Sequence, residues 1–233
     1  MSKPTNKTVI AVDGPAASGK GTFAKALAAH LQYAYLDTGA LYRIVALAVL
    51  QKGGDPANPA DVKPALTAIK YPLLPEQLTN PALRSPEVGE AVSQAAVMPE
   101  TRAAIRTYQI EFMKAPPGNA SGVVLDGRDI GTVVCPEADI KFFITASAEE
   151  RARRRFEDQK AGSPGLTYEM VLENINERDQ RDSTRAISLL RPAADAHILD
   201  TTKLVPAETL AKGLGIVEAK RKKKFLKHKP PSL

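Results

Sequence analysis

Lys20 stands in the stretch Gly14-Pro-Ala-Ala-Ser-Gly-Lys-Gly-Thr22, and that spacing suits one kind of chemistry, the holding of phosphate groups. Glycines at 14 and 19 let the backbone bend with its N–H groups turned inward, and the lysine after the second adds a full positive charge. Val9 to Val12 before the stretch form an apolar run of strand formers, and Phe23 to Leu31 after it reads as a helix. Strand before and helix after is the context such a loop needs, because a helix N-terminus adds partial positive charge. The competing reading is a purely structural glycine turn. The candidate residues for a nucleotide's phosphates are Gly14, Pro15, Ala16, Ala17, Ser18, Gly19, Lys20, Gly21 and Thr22.

Three other segments carry chemically useful side chains. Val123-Val-Leu-Asp-Gly-Arg-Asp129 is an apolar strand ending in an acid, and Asp126 there fits a carboxylate that orders Mg²⁺ directly or through water. An Asx turn is the bland alternative for the same residue. In Leu36-Asp-Thr-Gly-Ala-Leu-Tyr-Arg43, Asp37 and Thr38 fall at a helix start, where capping alone accounts for them. Arg43 adds a planar donor suited to a second phosphate. The third segment spans residues 147–185, two helical stretches holding Arg151, Arg153, Arg154, Arg155, Arg178, Arg181 and Arg185. Joined by Gly162-Ser-Pro-Gly165, they read as a hinged cover, with a solvated charged face as the alternative for each arginine.

The elements that must position these groups follow from periodicity. Strands at residues 9–12, 123–126, 140–144 and 198–201 alternate with helices, which predicts an α/β fold with a doubly wound parallel sheet. Apolar residues from Leu41 to Val49 predict a helix ending at Gly53-Gly54. Prolines at 56, 59, 64, 72, 75, 81 and 86 predict an insert of short strands and turns over 55–86. Residues 87–114 read as two helical pieces divided near Pro99, with Arg102 and Arg106 one turn apart on a shared face. The core is thus 1–54, 115–146 and 186–219; the insert is 55–114 and the cover 147–185.

With 233 residues, 43% hydrophobic and 25% charged, the chain fits one globular α/β domain with inserts. Its single cysteine, Cys135, excludes an internal disulfide and reads as a packed apolar residue in a reducing compartment. The polar N-terminus carries no signal-peptide pattern, and no apolar run reaches membrane-spanning length; the expectation is a cytoplasmic protein with no membrane partner. Net charge is +6, but residues 220–233 hold seven basic side chains and no acid, leaving 25 basic against 26 acidic groups elsewhere. A disordered basic tail following a helix over Pro206 to Leu214 is the expectation. The histidines show no spacing that suggests a metal site.

One phosphate loop, many separated arginines and no conventional nucleophile set point to phosphoryl transfer, where alignment and charge neutralisation dominate. Gly21 sits where many phosphate loops place the Mg²⁺-ligating hydroxyl, which suits small nucleoside monophosphate kinases better than GTPases or motor ATPases. The stretches Gly14–Thr22 and Leu36–Arg43, together with Asp126-Gly-Arg-Asp-Ile-Gly-Thr-Val-Val134, Thr145-Ala-Ser-Ala-Glu-Glu-Arg-Ala-Arg-Arg-Arg155 and Arg178-Asp-Gln-Arg-Asp-Ser-Thr-Arg185, resemble bacterial cytidylate kinase over residues 8–215. The resemblance implies transfer of the ATP γ-phosphate to CMP or dCMP, with ATP and Mg²⁺ bound by a monomer. It implies that Arg43 and Arg128 grip the acceptor phosphate, and that Thr38, Arg102, Asp129 and Arg185 read cytosine with Ser93 nearby. Arg178 and Asp182 would hold the ribose, Asp37 would line the acceptor site, and Lys20, Arg128, Arg155 and Arg185 would act in catalysis. Asp126 would order water around the metal.

Three rivals remain. Adenylate or UMP kinase shares the fold, with different acceptor motifs. A GTP-dependent switch needs an Asn-Lys-x-Asp segment after a strand, and none is present. The lysine-rich tail could bind nucleic acid through phosphate contacts, though only Phe225 offers stacking there.

Overall fold

The computed structural model describes residues 3–184 and 189–227. Strands β1 (Thr8–Asp13), β2 (Ala34–Asp37), β3 (Gly122–Gly127), β4 (Ile140–Thr145) and β5 (His197–Asp200) form one sheet in the order β2-β3-β1-β4-β5. Every neighbouring pair is parallel, as the alternation of strands and helices predicts. The helices are α1 (Lys20–Leu31), α2 (Thr38–Leu50), α3 (Pro59–Ala65), α4 (Pro75–Thr79), α5 (Pro86–Ala95), α6 (Pro99–Lys114), α7 (Ala148–Gln159), α8 (Tyr168–Thr184) and α9 (Pro206–Lys227). None of them is long and apolar enough to cross a membrane.

Both faces of the central strands are covered, which is why those strands are apolar without alternation. Val9, Ala11, Val123 and Leu125 pack with Leu41, Val45, Ile105 and Phe112 of α2 and α6. On the other face, Ile10, Val12 and Val124 pack with Phe23, Leu27, Phe142 and Val217 of α1, β4 and α9. From central β1 the chain runs to β2 and β3 on one side, then to β4 and β5 on the other. That reversal opens a crevice at the carboxyl ends of the strands, where such sheets place their ligands. Register brings three carboxylates to this edge: Asp37 lies opposite Asp126, and Asp13 opposite Gly127.

Two regions differ from the sequence expectation. Residues 55–86 form short α- and 3₁₀-helices, and contain no strand. Pro59, Pro75, Pro81 and Pro86 each occupy a first helical position, where their missing N–H costs nothing. Asn58, Asn80 and Ser85 cap three of those starts with their side chains. Thus the prolines shorten helices here; they do not prevent them. The second difference is the tail: α9 continues to Lys227 instead of ending near Leu214. Lysine and arginine propagate a helix well, and Arg221 donates to the Tyr33 hydroxyl at 2.8 Å with its guanidinium 5.7 Å from that ring's centre. The expected break at Pro99 is present, and Ser147 caps α7 through the Glu150 amide. Cys135 is buried, as its apolar setting predicts.

The cover expected over 147–185 is more firmly seated than its charge suggests. Ala152 of α7 and Val171 and Ile175 of α8 form a buried cluster that includes Ala16 of the phosphate loop. Arg153 is exposed in a pair with Glu150, whereas Arg151 is buried. The two helices therefore have an apolar inner seam, and their arginines divide between that seam and solvent.

Candidate active site

The loop from Gly14 to Gly19 turns directly off the end of β1. Gly14 is needed for clearance, since a Cβ there would stand 2.0 Å from the Ile144 carbonyl oxygen. Ala17 (φ 57°) and Gly19 (φ 83°) adopt left-handed conformations. Such residues among right-handed ones turn successive N–H groups to one side, forming an anion cradle. For Ala17 that backbone costs roughly 1 kcal/mol, so neighbouring contacts must hold it. α1 starts at Lys20 without a side-chain cap on its first turn, leaving those N–H groups for an anion.

Gly21 has a further consequence. A Cβ on it would lie 3.1 Å from Asp126 Oδ2, so the absent side chain leaves room for the Asp126 carboxylate. Lys20 Nζ is 3.9 Å from Asp126 Oδ1, and the Tyr35 hydroxyl donates to Asp126 Oδ2 at 3.4 Å. Burial raises the Asp126 pKa to about 6 against the opposing charge of Lys20. The same burial lowers Lys20 and raises Tyr35, whose phenol stays protonated. Asp126 Oδ1 is buried without a hydrogen-bond partner, which is the kind of oxygen a hard cation or its water would satisfy. Among the described residues no three His, Cys, Asp or Glu side chains cluster to hold a metal. An ion here would take its remaining ligands from phosphate and water.

Beyond Lys20 and Gly21 opens a cavity of about 440 Å³. Asp37, Thr38, Arg43, Ser93, Arg102, Arg128, Asp129, Arg178 and Asp182 all line it, drawn from the end of β2, α2, α5, α6, the turn after β3 and α8. Its charges are already paired across elements. Arg102 Nη2 meets Asp129 Oδ2 at 2.8 Å, and Arg128 forms an ion pair with Asp182, which is 1% exposed. Burial lowers the Arg128 pKa to about 10, leaving it cationic at neutral pH. Arg43 Nη1 donates to the Leu83 carbonyl at 3.0 Å, tying α2 to the insert. Thr38 Oγ1 donates to the Asp126 carbonyl at 2.7 Å, so its proton is engaged and its lone pairs are what it offers a ligand. Asp37 caps α2 through the Ala40 amide, as its position predicts.

Not every expected residue lines this space. Arg155 does not, although burial and the nearby charge of Arg43 both lower its pKa. Arg106 does not share the site with Arg102; it borders a separate recess of about 130 Å³ with Lys3 and Cys135. Four residues move a side chain about 6 Å along the axis and about 40° past a full circle, and Arg102 is drawn to Asp129 while Arg106 sits further along the helix. Arg185 lies outside the described residues.

Several residues here escaped sequence reading. Gln109 is 3% exposed and lines the cavity two turns after Arg102; that helical spacing was the available signal. Asp13, at the end of β1, accepts from the Ile130 and Gly131 amides at 2.8 Å each, pinning the backbone just after Asp129. Burial raises its pKa to about 7, and Asp129 and Asp126 add to the rise. No local pattern distinguishes it from an ordinary acid at a strand end.

A donor-phosphate cradle and a charged acceptor-sized cavity, meeting at Lys20 on the switch point of a parallel sheet, place this chain among the phosphate-loop kinases. Comparison with known proteins narrows the class. Residues 10–219 match the family described as cytidylate kinase. The chain is 48% identical over 215 residues to the cytidylate kinase of Rhodospirillum rubrum, covering 92% of this chain and 99% of that one. It is also 48% identical over 214 residues to the cytidylate kinase of Paramagnetospirillum magneticum, with 92% and 99% covered. The chain belongs to the cytidylate kinase family. Among solved structures, an uncharacterized protein from Eubacterium ventriosum matches with a TM-score of 0.53 at 12% identity, over 91% of this chain and 99% of that one, a likeness of fold alone.

Proposed function

We infer that this chain transfers the γ-phosphate of ATP to CMP and dCMP, yielding ADP and the nucleoside diphosphate. The observation that supports it best is the single cavity joining Lys20 and Gly21 to Arg43, Arg102, Arg128, Asp129 and Asp182. The loop amides and Lys20 hold the donor's phosphates, and Arg43 and Arg128 hold the acceptor's phosphate against them. Alignment of this kind suits a loose transition state, which asks for positioning and charge neutralisation more than covalent chemistry. Asp126 is the residue that would hold Mg²⁺, through water; the ion, when bound, supplies neutralisation of the phosphate oxygens. Arg155 and Arg185 complete the cationic set from the cover.

Cytosine recognition falls to Asp129 and Arg102, already paired with each other, together with Thr38, Ser93 and Arg185. A carboxylate accepts from cytosine's exocyclic amine. Uracil presents a carbonyl at that place, which would set acceptor against acceptor in a buried site. Arg178 and Asp182 would hold the ribose. The insert over 55–114, α3 to α6, serves as the acceptor-binding part and α7 with α8 as the lid of a cytoplasmic monomer. A coupled ADP-release assay over CMP, dCMP, UMP and AMP tests the reading: CMP and dCMP are expected to lead, and a clear preference for AMP would overturn it.

A further inference from the structure

An anion cradle whose N–H groups face inward turns its carbonyls outward, and where those carbonyls are buried each needs a donor from outside. In this loop Ala16 and Ser18 are buried, and they flank Ala17, whose φ of 57° no side chain of its own can stabilise. The Ala16 carbonyl is reached from α7 and the Ser18 carbonyl from the turn after β5, which α7 holds in its turn. Arg151 Nη1 donates to the Ala16 carbonyl at 3.4 Å. Thr201 Oγ1 shares its proton between the Ser18 carbonyl at 3.0 Å and the Thr145 carbonyl at 3.1 Å, and Arg154 grips Thr201 through its hydroxyl at 3.0 Å and its carbonyl at 2.6 Å.

The two arginines are themselves fixed. Arg151 pairs through both terminal nitrogens with Asp179 of α8, at 3.0 and 2.5 Å, and its Nε donates to the Ala146 carbonyl at 2.9 Å. Arg154 Nε donates to Glu150 at 2.8 Å. A planar fork can hold a carboxylate through both terminal nitrogens and still reach carbonyls, a bidentate geometry that a lysine's point charge does not reproduce. Neither residue lines the cavity, so their charge is spent on the loop's outer side.

We propose that Arg151 and Arg154 are positioning residues for the donor: Arg151 directly, and Arg154 through Thr201, clamp the carbonyls of Ala16 and Ser18 from outside, holding Ala17 in its left-handed turn and the loop's amides toward the phosphates. The base of α7 is thereby also the buttress of the phosphate loop. The inference rests on the donor-loop reading above. It predicts a defect specific to the donor nucleotide, which separates it from a general loss of packing.

The test compares Arg151→Lys, Thr201→Val and Thr201→Ser in the full chain, by titration with ADP alone and by KM for ATP and for CMP. Arg151→Lys and Thr201→Val should weaken ADP binding and raise the ATP KM about tenfold, the scale of one charge-assisted or buried hydrogen bond. KM for CMP should stay within about twofold, and Thr201→Ser, which keeps the hydroxyl, should bind ADP as the parent does. Equal ADP affinity in parent and variants, or matched changes in both KM values, would overturn the proposal. A parent that binds ADP but fails to phosphorylate CMP would instead overturn the functional reading and leave the clamp standing. Since Arg151 is buried, Thr201→Val with its Ser counterpart decides the matter if Arg151→Lys does not fold.

Discussion

The donor and acceptor halves of the site hold their ligands by different means. The donor half is one unbroken segment, Gly14 to Thr22, that works through its backbone: two left-handed residues, an uncapped helix start and one lysine. The acceptor half is built from side chains on α2, α5, α6 and α8, at the end of β2 and just after β3, and four of them pair, Arg102 with Asp129 and Arg128 with Asp182. Backbone amides recognise any phosphate, so the donor half carries no information about the acceptor. Paired side chains present a particular arrangement of donors and acceptors, so on the proposed function specificity lies in the acceptor half. Asp13 joins the two, since it immediately precedes Gly14 and holds the amides that follow Asp129.

The sharpest way to break this division is Lys20→Ala. With the cradle's only full charge gone, turnover should fall on the order of 10³-fold while the circular dichroism spectrum stays unchanged; activity within tenfold of the parent would move the donor site elsewhere. Next in size, Asp129→Ala should lower the ratio of kcat/KM for CMP over UMP by about tenfold or more, mainly through poorer use of CMP. A ratio unchanged by that substitution would remove Asp129 from base reading and blur the contrast between the halves.

A smaller effect tests the joint. Asp13 shifts from 3.8 to about 7 in the folded chain, chiefly through burial. Between those values the native protein holds a proton that the unfolded chain has released, so this group's contribution to stability is present at low pH and lost as pH rises toward 7. Asp126 and Asp129 face it, and Lys141 packs beside the same Gly131. Asp13→Asn removes the titration; its urea midpoint should fall less steeply than the parent's between pH 4.5 and 7. Parallel profiles would show that Asp13 stays ionised throughout. The smallest effect is expected outside both halves. Deleting residues 220–233 should leave turnover within about twofold and lower the melting temperature slightly, because the Arg221 contact with Tyr33 is worth roughly 0.5–1 kcal/mol. A large loss of turnover at physiological salt would give the tail a part in catalysis.

How far each half could be read from sequence follows from the same difference. The phosphate loop was legible as a contiguous pattern with a strand before it and a helix after it. The parallel sheet was legible too, because strands buried on both faces must be apolar throughout, as Val9 to Val12 and Val123 to Leu125 are. Gln109 and Asp13 were not recognised, since a lone Gln on a helix and an Asp at a strand end match many uneventful positions. The insert is hard to read because proline disfavours a helix interior but favours a helix start; the caps at Asn58, Asn80 and Ser85 favour starts, and α3 even holds Pro64 within it.

The amino-acid order alone determined the donor loop, the placing of Asp126 at a strand end and the order of the acceptor motifs. These depend on neighbours in the chain, where local sterics and periodicity act. Only the tertiary structure decided that Arg151 and Arg154 face the loop's outer side while Arg128 and Asp182 pair across the cavity. It likewise decided that Arg102 and Arg106, one turn apart, serve different spaces. Arginines in one helix look alike until burial and partner geometry separate them, and both are set by residues far away in the chain.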